Sequence, residues 1–242
     1  MISKKDIKLI KSLGQKKYRQ QLGLFVVEGK KAIDEFLDSD FELDRLFATA
    51  PIFDMGFTQI TSKELVNISQ LKTPNNALAM FRIPEIKVER VKGLALALDT
   101  IRDPGNLGTI IRLCDWYGIE NLICSKTTVD CYNPKVVQAT MGSLTRVKLQ
   151  YLDLEDYLQA SNLEIFGTFM DGTNIYTKTL PEQGIIVMGN EANGISERIG
   201  KLIDKKLSIP RFGTYKATES LNVAMATAVI LSEFKRGQPV SK

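Results

Sequence analysis

Five polar residues of this 242-residue chain stand where side chains do chemistry: Asn106, Arg112, Glu191, Ser220 and Asn222. They occupy three stretches, LALALDTIRDPGNLGTIIRL, IIVMGNEANGIS and IPRFGTYKATESLNVAMATAVILSEF, each with a strand-like apolar run or a Gly/Pro-rich loop feeding a helix or turn. A helix N-terminus leaves backbone N–H groups without intrahelical partners, so a loop entering it makes a polar floor for a ligand. Asn106 reads as the N-cap after Asp103-Pro104-Gly105, and Gly108 lets another group approach the first turn. Leu107, Ile110, Ile111 and Cys114 form an apolar stripe at i, i+3, i+4 and i+7, so Arg112 projects away from the core. Glu191 lies in a loop beside bare backbone, where Asn193 and Gly194 permit a positive-φ turn; its carboxylate could hold Arg112 or a ligand hydroxyl. Ser220 reads as the cap of the last helix, leaving the Asn222 amide to face a ligand. Taken singly, each residue has a plainer reading: a surface arginine, a solvated loop acid or cap near Ser196, or the cap of a core helix packed through Ala224, Ala226 and Ala228. Three such corners in one domain point to a site.

Composition narrows the chemistry. The chain has no histidine, which removes the commonest general base and every Ser-His or Cys-His nucleophile. What remains favours transfer of an already activated group, governed by positioning and electrostatics. Neither GxxxxGK[ST] nor GxGxxG occurs, which weakens phosphate-loop and dinucleotide readings. Cys114, Cys124 and Cys131 are odd in number and lack CxxC spacing, so they read as core filling in a reducing compartment, with no metal site. No signal-like or membrane-spanning run is present, and the expected location is cytoplasmic.

The elements that must position these residues fall into two parts. Residues 1–88 read as a small α/β domain: an opening helix with Ile7, Ile10 and Leu13, a turn near Gly23, a strand Leu24 to Val27, a helix Glu28 to Leu37, and strands near Leu46 to Ala48 and Leu78 to Ile83. Residues Pro84 to Lys92 read as linker. From residue 89 to 242, apolar runs alternate with helical patterns, as a parallel sheet covered on both faces requires. Ligands of such sheets bind beyond the carboxyl ends of the strands. Whole-chain charge is +4, yet residues 1–31 hold nine Lys or Arg against two acids, a net +7 that leaves −3 for the rest. Such a patch is either a solvated helix face or a phosphate-contacting surface, with Lys16, Lys17 and Arg19 the foremost RNA-binding candidates.

Taken together and in order, Asn106, Gly108 and Arg112, then Gly189, Asn190 and Glu191, then Ile209, Pro210, Ser220, Leu221 and Asn222 resemble the three motifs of the SpoU/TrmH family of RNA 2′-O-ribose methyltransferases, in the SPOUT class. The similarity runs from about Leu94 to Phe234, and the basic opening with FVVEGKKAIDEFL resembles that family's RNA-binding domain. The resemblance implies an α/β fold whose parallel sheet ends in a C-terminal trefoil knot, a small N-terminal α/β RNA-binding domain, and a homodimer with its active site near the subunit boundary. It implies S-adenosyl-L-methionine as cofactor, held by Met188, Gly189, Asn190, Ile209, Pro210 and Leu221. Arg112 matches the catalytic arginine, with Asn106, Glu191, Ser220 and Asn222 as the other polar site residues. The substrate class it implies is structured RNA, ribosomal ahead of transfer RNA. Two departures stand out: the segment between Pro210 and Ser220 is a few residues longer than usual, and Ile-Pro-Arg replaces the frequent Ile-Pro-Met, placing Arg211 near the site. The alternatives are a non-catalytic RNA-binding or ribosome assembly factor and a SPOUT enzyme that methylates a base.

Overall fold

Helical spacing of Ile7, Ile10 and Leu13 behind the cap Ser3, whose Oγ accepts from the Asp6 N–H, starts the first helix, α1 (Lys4–Ser12). The computed structural model describes residues 2–85, 90–213 and 220–239. After α1 come α2 (Lys16–Leu22), β1 (Leu24–Glu28), α3 (Lys30–Leu37), β2 (Leu43–Ala48), β3 (Thr58–Gln59), α4 (Ser62–Ile68) and β4 (Ala77–Arg82). Gly23 ends α2 in the left-handed conformation, φ +63°. The sequence reading missed β3 and α4, although Thr61 and Glu64 form a reciprocal capping box at the start of α4.

The remaining elements are β5 (Leu94–Leu98), α5 (Pro104–Trp116), β6 (Asn121–Ser125), α6 (Pro134–Thr140), β7 (Lys148–Leu152), α7 (Leu154–Gln159), β8 (Ile165–Asn174), β9 (Gly184–Met188), α8 (Glu197–Gly200), β10 (Lys205–Ser208) and α9 (Val223–Lys235). The chain divides into two units. One is Met1–Ile86 with Asp130–Thr145; the other is Lys87–Val129 with Arg146–Lys242. The expected linker falls at the first of these divisions, with residues 86–89 outside the described residues.

In the first unit the strand order is β1-β4-β2-β3, with β4 antiparallel to β1 and β2. Alternate residues of β1 feed two cores. Leu24 and Val26 join Ile10, Leu13, Phe47, Leu65, Ile68, Leu78 and Met80. Phe25 meets Phe36, Phe41, Phe81 and Tyr132 in a cluster of rings whose centroids lie 4.7–6.1 Å from Phe25. Tyr132 belongs to the Asp130–Thr145 segment, which the sequence reading left in the second domain; its helix α6 packs on β1.

Arg19 departs from expectation. It is 1% exposed. Its Nε and Nη2 donate to Asp130 Oδ2 at 2.9 and 2.6 Å, and Nη1 donates to the Leu13 carbonyl at 2.7 Å. The planar guanidinium suits such a buried pair, and its burial keeps it from an RNA phosphate at the surface. Arg19 is therefore a structural residue and drops out of the RNA-binding candidates. Truncating one partner of a buried pair leaves the other uncompensated, so Arg19→Ala is expected to destabilise the protein by about 3–5 kcal/mol in chemical denaturation. A loss within ~0.5 kcal/mol, the range for ordinary surface positions, would contradict this.

In the second unit the six strands run β10-β8-β9-β5-β6-β7, every neighbouring pair parallel. All residues of β5 and β9 are buried, as unbroken apolar runs in a doubly covered sheet must be. Ala95, Ala97, Ile185 and Val187 pack with Ile123, Leu154, Leu158 and Ile199, while Phe234 of α9 meets Phe166 of β8 at 5.2 Å. Gly172 is required where β8 bulges beside β10, since a Cβ there would lie 2.5 Å from the Leu207 carbonyl carbon. The three cysteines are buried and unbridged, and burial pushes the Cys114 thiol far above its ordinary range. Among the described residues no helix is long and apolar enough to cross a membrane.

Candidate active site

The register of the sheet sets the site. Leu98 pairs with Met188, so the chain leaves β5 and β9 at the same level and the two following loops emerge side by side. After β5, Asp103 caps α5, its Oδ1 accepting from the Asn106 N–H at 2.8 Å, and Pro104 takes the first helical position. Asn106 was expected as the cap; the structure frees its side chain for another use. Likewise Asn222, not Ser220, caps α9, its Oδ1 accepting from the N–H groups of Ala224 and Met225 at 3.0 and 3.3 Å.

These two caps fix the orientation of a chain of amides. Because Asn222 Oδ1 is committed to backbone donors, its Nδ2 points outward and donates to Asn106 Oδ1 at 2.9 Å. Asn106 Nδ2 in turn donates to Glu191 Oε1 at 2.8 Å. A carboxylate accepts and does not donate, so every direction in the series Asn222 to Asn106 to Glu191 is determined. Residues 116 and 85 positions apart in sequence thus join the starts of α5 and α9, each thirteen residues long, to the loop after β9. The partial positive charge of both helix N-termini converges there.

The loop carrying Glu191 closes tightly. Asn190 and Gly194 exchange two backbone hydrogen bonds of 2.9 Å, with Gly194 at φ +66°. A Cβ on Gly189 would lie 2.2 Å from both Gly194 C and Ile195 N, so only glycine fits. Asn190 Oδ1 accepts from the Ala192 and Asn193 N–H groups, and its Nδ2 donates to the Thr100 carbonyl at 2.6 Å. Thr100 and its neighbour Asp99 were not singled out from sequence. Nothing in the residue order announces that Thr100 takes φ +65°.

The structure thus brings Asn106, Glu191, Asn222 and the Gly189–Asn190 backbone together. Met188 is buried at the end of β9, Ile209 and Pro210 are half-buried after β10, and Leu221 is 55% exposed just before α9. Ser220 is exposed, two residues before Asn222 and outside the amide series. Arg112 is exposed on α5 and is not paired with Glu191, contrary to one expected role for that acid. Six residues beyond Asn106, Arg112 lies about 9 Å along the helix and about 120° around it. Arg211 follows Pro210 directly, and residues 214–219 of the long loop lie outside the described residues. In the first unit, Lys16 and Lys17 are exposed on α2. No group of three or more His, Cys, Asp or Glu among the described residues could hold a metal ion.

Comparison with known proteins yields concordant matches. The model of the SpoU rRNA methylase family matches residues 93–232, and that of an MRM3-like substrate binding domain matches residues 4–79. The chain is 26% identical over 232 residues to the 23S rRNA (guanosine(2553)-2′-O)-methyltransferase RlmP of Bacillus subtilis, covering 91% of this chain and 92% of that one. Among solved structures, a TrmH-family protein of Porphyromonas gingivalis is 37% identical with a TM-score of 0.89, covering 98% of this chain and 99% of that one. An AdoMet-bound rRNA methyltransferase from Sinorhizobium meliloti is 26% identical with a TM-score of 0.87, covering 99% of this chain and 97% of that one.

Proposed function

Because the chain belongs to the SpoU rRNA methylase family, we propose that it transfers the methyl group of S-adenosyl-L-methionine to a ribose 2′-hydroxyl of ribosomal RNA. The observation that carries this reading is the hydrogen-bonded series Asn222–Asn106–Glu191, which ties three loops at the carboxyl ends of the strands into one polar floor. A ligand pocket needs such convergent polar groups beside exposed backbone. Gly189, Asn190, Ile209 and Pro210 are half-buried and Leu221 is exposed, a lining that suits a cofactor with a polar amino-acid moiety and a nucleoside. When bound, S-adenosyl-L-methionine supplies an activated sulfonium methyl.

The chain's own task is to place and polarise the hydroxyl. Arg112 cannot accept its proton, since a guanidinium stays charged below about pH 12; it stabilises the developing alkoxide or grips the adjacent phosphate. Glu191, held by Asn106, retains acceptor capacity for a ribose hydroxyl. Asn222 and Ser220 border the place where that hydroxyl docks. Proton removal falls to water or phosphate.

Arg112 lies away from the Asn106–Glu191 floor of its own subunit, which supports a homodimer in which the partner's copy of this arginine completes the site. Trp116 on α5 and Met225 on α9, 83% and 61% exposed, provide apolar surface for a second copy. The C-terminal trefoil knot belongs to the same reading, as does assignment of residues 1–88 to substrate binding and 89–242 to catalysis. Substrate recognition then rests on the first unit, where Lys16 and Lys17 contact phosphate.

The test of the activity is incubation with isotopically labelled cofactor and ribosomal RNA, followed by mapping of the methyl group; a label on a base, or none above an RNA-free control, overturns it. For the surface, the Lys16→Ala/Lys17→Ala double variant is expected to reduce the slope of log affinity against log salt by about 1.4–1.8. An unchanged slope would return both lysines to the solvated helix face.

A further inference from the structure

The loop that carries Glu191 is gripped on both limbs by two consecutive residues at the end of β5. Asp99 donates its N–H to the Met188 carbonyl at 2.9 Å, where the loop begins, and its Oδ2 accepts from the Ser196 N–H at 2.8 Å, where the loop ends. Thr100 offers its carbonyl to Asn190 Nδ2 at 2.6 Å, in the middle. Since Asn190 Oδ1 holds the N–H groups of Ala192 and Asn193, fixing this one amide fixes the backbone on either side of Glu191.

Thr100 reaches that position at a cost. Its φ of +65° lies in the left-handed region, where a β-branched residue is an outlier. Such a residue persists only where its surroundings over-determine it, and outliers of this kind cluster at functional sites. The surroundings here are a network of hydroxyls. The Thr100 N–H donates to Ser125 Oγ at 2.9 Å, and Thr100 Oγ1 donates to Asp99 Oδ1 at 3.1 Å and lies 2.8 Å from Thr127 Oγ1. Ser125 Oγ is also 3.0 Å from Thr128 Oγ1, which donates to the Leu98 carbonyl. Asp99 is 3% exposed and Ser125 7%, so the inner part of this network, from Ser125 through Thr128 to the Leu98 carbonyl, is buried, while the Thr100–Thr127 contact lies at its exposed edge. With the network in place, the Thr100 carbonyl is directed toward Asn190.

We propose that Asp99 and Thr100 are positioning residues for methyl transfer, acting through Asn190 and Ser196 to hold Glu191 against Asn106. This rests on the proposed activity, so the test has an arm independent of it. In the protein without cofactor or RNA, Thr100→Val keeps the branched shape but loses the hydroxyl. Amide exchange at Ala192 and Asn193 is expected to speed up by about ten-fold or more, a local opening that leaves the sheet amides protected. Turnover per folded molecule is expected to fall by ~10–100-fold, the scale of a misplacement of about 1 Å. Thr100→Ser, which retains the hydroxyl, restores both. Thr100→Gly removes the strain together with the hydroxyl, so its thermal midpoint is expected to equal or exceed that of the parent while turnover falls. A residue that only stabilised the fold would instead move the midpoint and leave turnover per folded molecule intact. Parental exchange at Ala192 and Asn193 in Thr100→Val, or parental turnover in Thr100→Gly, would overturn the proposal. If the parent protein methylates no RNA, the activity reading fails, and the exchange arm still decides the clamp.

Discussion

Arg112→Ala lowers the methyl-transfer rate by about 10²–10³-fold, the usual effect of removing one donor aimed at charge developing in a transition state. Three features make the result clean. Arg112 is exposed, so its truncation opens no cavity. The apolar stripe of α5 is carried by Leu107, Ile110, Ile111 and Cys114, all fully buried, and stays whole. Among the described residues no hydrogen bond joins Arg112 to the loops proposed to hold the cofactor, so cofactor affinity should stay within about two-fold, the pattern of an interaction made only in the transition state. Single-turnover methylation at saturating cofactor, paired with calorimetric titration of cofactor, checks both halves. Undiminished turnover sinks the assignment, and lost cofactor binding would make Arg112 a ligand-holding residue instead. Mixing Arg112→Ala with Asn106→Ala subunits adds a further reading: recovery of activity in the hybrid supports a site shared between copies.

The second large effect is expected at Gly189. Alanine there would set its Cβ 2.2 Å from the backbone of Gly194 and Ile195, a contact no flexible side chain can relieve. The paired hydrogen bonds between Asn190 and Gly194 must open, and Glu191 then leaves Asn106. Overpacking of this kind costs about 1–3 kcal/mol of stability. The functional loss should be larger, because the same backbone is proposed to hold the cofactor. Affinity for S-adenosyl-L-methionine is expected to fall by at least ~30-fold, equivalent to about 2 kcal/mol, with a smaller drop in the thermal midpoint. Parental affinity in Gly189→Ala would show that the closed loop is not part of the cofactor site.

What the residues revealed beforehand was the parallel sheet of the second unit and the three corners whose polar residues meet beyond it. LALAL and GIIVM have no polar alternation, so their burial on both faces followed from composition. Asn106, Glu191 and Asn222 were legible as residues in three corners. The division of labour between them was not. Asp103 and Asn106 are both good caps, as are Ser220 and Asn222; Pro104 at the first helical position was the available sign that Asp103 is the cap. The capping box at Thr61 and Glu64 was another readable signal. Two features carried no local sign. The left-handed Thr100 depends on hydroxyls from the end of β6, and the pairing of Arg19 with Asp130 spans 111 positions, so neither a charge count nor periodicity could tell a buried guanidinium from an exposed one.

The Asp130–Thr145 segment gives the first unit an ancestry problem. A gene fragment ending near Ile86 would encode a β1 stripped of α6 and Tyr132, and an Arg19 whose counter-ion had been left behind. The unit is discontinuous in sequence, so no contiguous fragment that ends before Asp130 carries it whole.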